Sequence, residues 1–523
     1  MARRGNWPEH PVIYQIYPRS FRDTHGHGEG DLRGITEGLD YVASLGVDGI
    51  WLSPFFLSPF CDGGYDVEDH CAVDPRFGTL ADFDALVARA HELDLCVMID
   101  QVFNHTSVTH EWFQRSLKRE EEFENLYVWA DAKPDGSPPN NWIAFFGTPA
   151  WRWYPERAQY CLHKFLACQP CLDHHHPAVH ERLRAINRFW LDRGVDGFRY
   201  DAVTSFFHHQ QLADNPPSTA KQRERIPGPP NNPYTFQDHE NDVLPTECAA
   251  FTETMREWVG EDVYLLGEIN KGPNSMEVTR DFTKEGRFDA GYTFDIAERG
   301  PTSGVLREIL DRLEGQDGYA WWLSSHDHPR HVSSLGDGSA RDARLFATLL
   351  LALPGPVMLF QGEELGQPQA VLPLEKLQDP FDVMYWPEPM GRDGARTPMA
   401  WDSNRPRCGF SGAKPWLPVQ TPEDGGVAQQ NANGASVLNF YRKALRLRRD
   451  YGLETGRMEI ADSPACTVLA QMHCGNRTLT LTVNLTHEEW ERPPETQGQT
   501  PILSSRECPE DGAIPPRCAA WWL

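Results

Sequence analysis

Nine polar side chains of this 523-residue chain follow apolar stretches: Asp66, Asp100, Asn104, His105, Arg199, Asp201, Glu268, His326 and Asp327. Singly, each carboxylate reads as a surface or helix-capping group. Gathered in one place, several carboxylates with an arginine and two histidines carry a heavy desolvation cost that catalysis would explain. The chemistry that needs paired carboxylates, aromatic walls and no cofactor is glycoside hydrolysis. One ionised carboxylate attacks the anomeric carbon, and a second, held protonated, gives its proton to the leaving oxygen. Arg199 lies two residues before Asp201, so on a strand both point to one side and the guanidinium favours the carboxylate anion. Glu268 follows the apolar "VYLLG" (263–267), a setting that raises a carboxyl pKa.

Those residues need a scaffold that brings distant segments together. Short apolar runs recur at "VIYQIYP" (12–18), "GIWLSP" (49–54), "CVMIDQVFNH" (96–105), "GFRYDAV" (197–203), "VYLLGEI" (263–269), "WWLSSHD" (321–327) and "PVMLFQGEE" (356–364), with an eighth at "AGYTFD" (290–295). Amphipathic helical patterns fall between them, as at 79–94 and 178–194. Buried parallel strands alternating with helices over about eight units predict a (β/α)8 TIM barrel, whose chemistry sits at the C-terminal ends of the strands. Residues 106–175, rich in Trp, Asn and Pro, are too long for a plain loop and read as an inserted subdomain after the third strand. Residues 205–250 form a second excursion over the same face. From about 455 the pattern alternates, as in "RTLTLTVNL" (477–485), which predicts a C-terminal antiparallel β-sandwich domain. The expected division is a barrel over 1–105 and 176–454, an insertion over 106–175 and a β domain over 455–523.

Composition narrows the partners. A formal charge of −26 argues against nucleic acid and anionic membranes and suits small neutral substrates. The N-terminal "MARRGNWPEHPVIYQ" has no apolar stretch behind its arginines, so no export signal is read. The longest apolar run (345–360) is broken by Pro354, Gly355 and Pro356. A cytoplasmic enzyme with reduced thiols is expected, its twelve cysteines unpaired; nothing bears on oligomeric state.

"DQVFNH" (100–105), "GFRYDAV" (197–203), "LLGEI" (265–269) and "SSHDHPR" (324–330) resemble, in order and spacing, the four motif regions of glycoside hydrolase family 13, the α-amylase family. "GGYDVEDH", "DPRFGTLADF", "NPYTFQDHE", "FQGEELG" and "GRDGARTPMAWD" are similar to its α-glucosidase and oligo-1,6-glucosidase branch, and the likeness covers nearly the whole chain. It implies a retaining, exo-acting α-glucosidase with Asp201 as nucleophile, Glu268 as acid/base and Asp327 as the third carboxylate. By the same resemblance Asp66, His105, Arg199, His326 and Arg396 bind the terminal glucose, Tyr65 stacks under it, and Phe165 and Gln169 line the wall. Ala202, small and next to the nucleophile, implies preference for α-1,4 over α-1,6 bonds, hence maltose-like α-glucosides, with transglucosylation open to it. A glucosyltransferase or sucrose isomerase would carry the same triad, whereas a non-catalytic metal-binding or scaffold member would normally lack part of it.

Two stretches depart from that family. "FLACQPCLDHHHP" (165–177) holds Cys168 and Cys171 at metal-like spacing before Asp173 and three histidines. Against this, "QPCLD" fits the family's QPDLN-type segment, which favours a structural role. "DTHGHGEGDL" (23–32) stands where the resemblance puts a structural calcium or magnesium loop. Asp23 and Asp31 keep its ends, Glu29 could lend a carbonyl, and His25 and His27 replace inner oxygen ligands. Imidazole suits zinc or nickel better than calcium, so the expectation is weak or absent calcium, with a transition metal held by these five residues as the second choice and no cofactor needed for the chemistry.

Overall fold

The computed structural model describes residues 6–223, 229, 231–270, 275–313, 315, 318–388, 391–509 and 512–523. The 205–250 excursion therefore includes positions, 224–228 and 230, outside the described residues. Seven parallel strands form one sheet: Val12–Ile16, Gly49–Leu52, Cys96–Gln101, Gly197–Tyr200, Tyr264–Glu268, Ala290–Tyr292 and, on the other side of the first, Val357–Phe360. Closure comes from 319–321, where Tyr319 bridges Gly291 and Trp321 bridges Val357 in parallel. Ala320 N donates to Gly291 O at 2.9 Å and Met358 N to Trp321 O at 2.8 Å. The eight strands thus close into the expected barrel. The seventh lies slightly before the apolar run that suggested it, because Trp322 turns inward and donates from Nε1 to Thr293 O at 2.8 Å.

Local chemistry sets the helices. The one expected over 79–94 spans Leu80–Glu92, started by Thr79 and Asp82 in a reciprocal capping box and burying Phe83, Leu86, Val87 and Ala90 along one face. The next expected helix is Pro177–Leu191, with proline in its first turn where no N–H is needed.

Between the third and fourth barrel strands, Trp129–Ala130, Trp151–Tyr154 and Gln159–Leu162 form a three-stranded antiparallel sheet, with Gln159–Leu162 central. At the C-terminal end, Arg457–Ala461, Thr467–Cys474, Arg477–Asn484, Cys518–Trp522 and Pro501–Ser504 make a five-stranded antiparallel sheet in that order. Trp521 faces the barrel and donates to Thr348 O at 2.7 Å. The opposite face, with Trp522, is covered by the Trp490–Ile514 bridge, which is what the second layer of the sandwich amounts to among the described residues. No helix among the described residues is long and apolar enough to cross a membrane.

Candidate active site

Register places the first charges. On adjacent strands Asp100 pairs with Arg199, and one strand further Glu268 ends its strand opposite Tyr292. Arg199 is fully buried and spends its guanidinium on three carboxylates: Nη1 donates to Asp100 at 2.6 Å and Asp201 at 2.8 Å, and Nη2 donates to Glu268 at 2.5 Å. Both nitrogens of one fork therefore hold the two carboxylates expected to do chemistry. Arg199 bonds Glu268 as well as Asp201, so contact with arginine is not what distinguishes them.

Burial raises both carboxyls. Burial pushes Glu268 up to about 8, with Arg199 opposing and Asp201 and Asp327 adding to the rise. Burial likewise raises Asp201, against Arg199 and with help from Asp100 and Asp327. Three carboxylates share one buried cation, so the cluster retains a proton near neutral pH, held by the coupled pair of Asp201 and Glu268.

Asp327 behaves oppositely. Burial works against its charge, but a hydrogen bond from His326 and the Arg392 and Arg396 guanidiniums outweigh it and hold the carboxyl well below its ordinary range. Oδ1 accepts from Arg392 Nε and Arg396 Nη2, both at 2.9 Å, and His326 Nε2 lies 3.0 Å from Oδ2. His326 is kept neutral by burial, its pKa near 4. Gln15 contacts its Nδ1 at 2.6 Å and Tyr65 Oη its Nε2 at 2.5 Å, a network in which Nδ1 accepts and Nε2 carries the hydrogen. Tyr65 Oη also donates to Asp100 at 3.0 Å. His105, lowered to about 4 by burial, donates from Nε2 to Tyr65 O at 3.0 Å and takes Asn104 Nδ2 on Nδ1 at 3.0 Å.

Asp201, Glu268 and Asp327 line one cavity with Tyr65, His105 and Phe165. His326, Arg199 and Arg396 are buried behind that wall and act through the carboxylates they hold. Asp66 departs from expectation. Its carboxylate accepts from Cys61 N at 2.8 Å, Asp62 N at 3.0 Å and Ser58 Oγ at 3.1 Å, so it closes its own turn. Asp62 lines the cavity instead. Gln169 reaches the site through it, donating from Nε2 to Asp62 Oδ2 at 2.9 Å. Arg392 also lines the cavity, ion-paired with Asp327 at 2.8 Å and 3.7 Å from Asp62. Arg392 lies inside the motif "GRDGARTPMAWD" four residues before Arg396, whereas Asp62 stands one residue before "GGYDVEDH".

Residues 15–456 match the family model of the alpha amylase catalytic domain. The chain belongs to the α-amylase family. It is 44% identical over 496 residues to a probable alpha-glucosidase of Rhizobium meliloti (strain 1021), covering 92% of this chain and 90% of the relative. It is 35% identical over 498 residues to an oligo-1,6-glucosidase of Heyndrickxia coagulans, covering 87% of each chain. Among solved structures, an alpha-glucosyl transfer enzyme matches with a TM-score of 0.92 at 40% identity, covering 99% of this chain and 100% of the other. The trehalulose synthase from Pseudomonas mesoacidophila MX-45 matches with a TM-score of 0.86 at 30% identity, covering 98% of both.

The family's cation loop is present in sequence, but its donors are committed. Asp23 accepts from Gly26 N and Gly28 N, both at 2.7 Å, and from Ser411 Oγ at 2.5 Å. Asp31 accepts from Gly34 N at 2.6 Å as the N-cap of helix Leu32–Leu45, and from Thr24 N and His25 Nδ1 at 2.8 and 3.0 Å. His25 and His27 stack on each other with rings 5.8 Å apart, and Glu29 turns to Arg19 at 2.5 Å. Among the described residues, no three of the loop's Asp, Glu and His side chains bring ligand atoms within 4.8 Å of one another, and imidazoles stand at two of the oxygen positions, so the residues present do not fit a calcium or magnesium site. Cys168 and Cys171 also part company: Cys171 is buried, with Lys164 N donating to its sulfur at 3.3 Å, while Cys168 turns toward Cys61.

Proposed function

We propose that the protein is a retaining α-glucosidase that removes the terminal, non-reducing glucose of short α-glucosides, with α-1,4 bonds preferred. Asp201 attacks the anomeric carbon, Glu268 protonates the leaving oxygen and then activates water, and Asp327 grips the ring hydroxyls. The observation that carries this reading is the single Arg199 fork joining Asp201 and Glu268, with Asp327 facing the same cavity. Asp62, His105 and Arg392 bind the glucose, and Tyr65 stacks beneath it. Short substrates are favoured because Phe145 and Phe146 of the insertion and Tyr234 of the second excursion wall the cavity. The relatives named as glucosidases support the hydrolase, and the free thiols among the described cysteines support work in the cytoplasm.

The test is kcat/KM on maltose, isomaltose, sucrose and trehalose. Maltose is expected to lead, and isomaltose split much faster than maltose would overturn the linkage preference. A second reading, glucosyl transfer, is favoured by the similarity to the alpha-glucosyl transfer enzyme. It requires that the outer part of the cavity hold an acceptor better than water. Transfer products dominating at dilute substrate would make transfer the main activity.

A further inference from the structure

We propose that Cys61, Cys168 and Asp66 form a binding site for a soft divalent cation of the zinc class, placed where the loop after the second barrel strand meets the inserted segment. The two sulfurs and one carboxylate oxygen all lie within 4.8 Å of one another. Around a tetrahedral zinc with metal–sulfur bonds of about 2.3 Å, neighbouring ligand atoms stand roughly 3.4–3.8 Å apart. The site therefore needs a modest inward movement of side chains. Thiolates select zinc-like ions over calcium or magnesium, and three protein ligands leave a fourth position for water.

The surroundings suit a cation. Asp66 is oriented by donors from Ser58, Cys61 and Asp62, the supporting shell that ligating carboxylates require, and an ion would take the lone-pair site on Oδ2 that the single bond from Cys61 leaves. Asp62 adds a nearby negative charge. Cys61 is exposed and Cys168 half-buried, so an ion can enter. A second cluster, Asp173, His175 and His208, is poorer: His175 Nε2 is committed to His208 O at 2.9 Å, and the ammonium of Lys164 acts on His208.

The position has a consequence. Cys61 precedes Asp62 and Cys168 precedes Gln169, so an ion held by both thiolates would clamp the Gln169–Asp62 hydrogen bond from either side. This inference stands whichever glucoside the enzyme prefers.

The test uses the untagged full chain, kept reduced with a phosphine, stripped of metal, equilibrated with zinc and gel-filtered before metal analysis. Retention of one zinc per chain, a rise in Tm with zinc, and a thiolate-to-metal absorption band on cobalt substitution are expected. Cys61→Ser and Cys168→Ser should each weaken binding at least about tenfold and diminish the band, whereas Cys171→Ser and His175→Ala should retain both. Cys61 is exposed, so its variant keeps the test readable if Cys168→Ser fails to fold. No retained zinc, equal retention by Cys61→Ser, a cobalt spectrum without the thiolate band, or loss of zinc in His175→Ala would overturn the proposal.

Discussion

Gln169 of the inserted segment donates a hydrogen bond to Asp62 of the barrel at 2.9 Å, and through that contact the insertion helps to shape the sugar pocket. Hydrogen bonds to charged groups contribute about 1.5–3 kcal/mol. Asp62→Ala should therefore lower kcat/KM by roughly 10- to 150-fold, and Gln169→Ala by about tenfold through loss of positioning. Asp66→Ala should differ in kind, because its carboxylate serves its own turn. It should lower stability by about 1–3 kcal/mol while the folded fraction keeps most of its kcat. Steady-state kinetics beside thermal melts will separate them; equal losses of kcat/KM for Asp62→Ala and Asp66→Ala would contradict the assignment.

Ala202 lines the cavity next to Asp201 and holds φ 44° and ψ 41°, a left-handed conformation that a side chain resists. Ala202→Gly should raise stability by up to about 1 kcal/mol. Ala202→Val, β-branched at positive φ, should lower Tm and raise the isomaltose-to-maltose ratio of kcat/KM. Both effects are read from one pair of purified variants, and an unchanged substrate ratio would remove Ala202 from the account of linkage choice.

The raised pKa of Glu268 has a signed consequence. Its ordinary value is 4.5 and burial lifts it to about 8, so between those values the folded chain holds a proton the unfolded chain has released. Stability therefore falls as pH rises through that window. Glu268→Gln, which mimics the protonated form, should gain Tm over the natural protein progressively from about pH 4.5 to 8 and show little difference below it. Activity should follow the same group: kcat/KM should decline as pH passes about 8, when the acid is lost. On the acid side Asp201, also raised, must lose its proton, and the two limbs belong to the coupled pair.

Much of the site was readable because Asp201, Glu268 and Asp327 each end or closely follow an apolar run at a barrel strand, and strand ends converge. What was not readable turns on short-range direction. Asp62 and Asp66 flank Tyr65 in one turn, and only the turn's hydrogen bonds decide which carboxylate faces the cavity. Arg392 and Arg396 lie four apart on a short helix, Arg392–Ala395, and its C-cap, and both reach Asp327, yet only Arg392 lines the cavity. The C-x-x-C spacing suggested one site, but the loop sends Cys171 into the core and Cys168 toward Cys61, a partner from another barrel loop that no local pattern reveals. The seventh strand consists of isolated rungs at Tyr319 and Trp321, so short that the apolar run "WWLSSHD" (321–327) marks its neighbourhood but not its bounds.

The loop at 23–31 should behave as a hydrogen-bonded turn and helix cap. Asp31→Ala removes the cap of helix Leu32–Leu45 and should cost about 0.5–2 kcal/mol, seen as a lower Tm. Added calcium should leave the Tm of the natural protein unchanged, since Asp23 and Asp31 already answer local donors. A sharp rise with calcium would show that the loop rearranges to bind it.

Whether Asp201 attacks the sugar can be read by covalent trapping. A fluorinated glucosyl substrate that forms its covalent intermediate faster than water releases it should leave a glucosyl adduct, which peptide mass spectrometry can place. The adduct is expected on Asp201, with none forming in Asp201→Asn. An adduct on another residue, or turnover of that substrate with no covalent species and β-glucose as the first product, would contradict it.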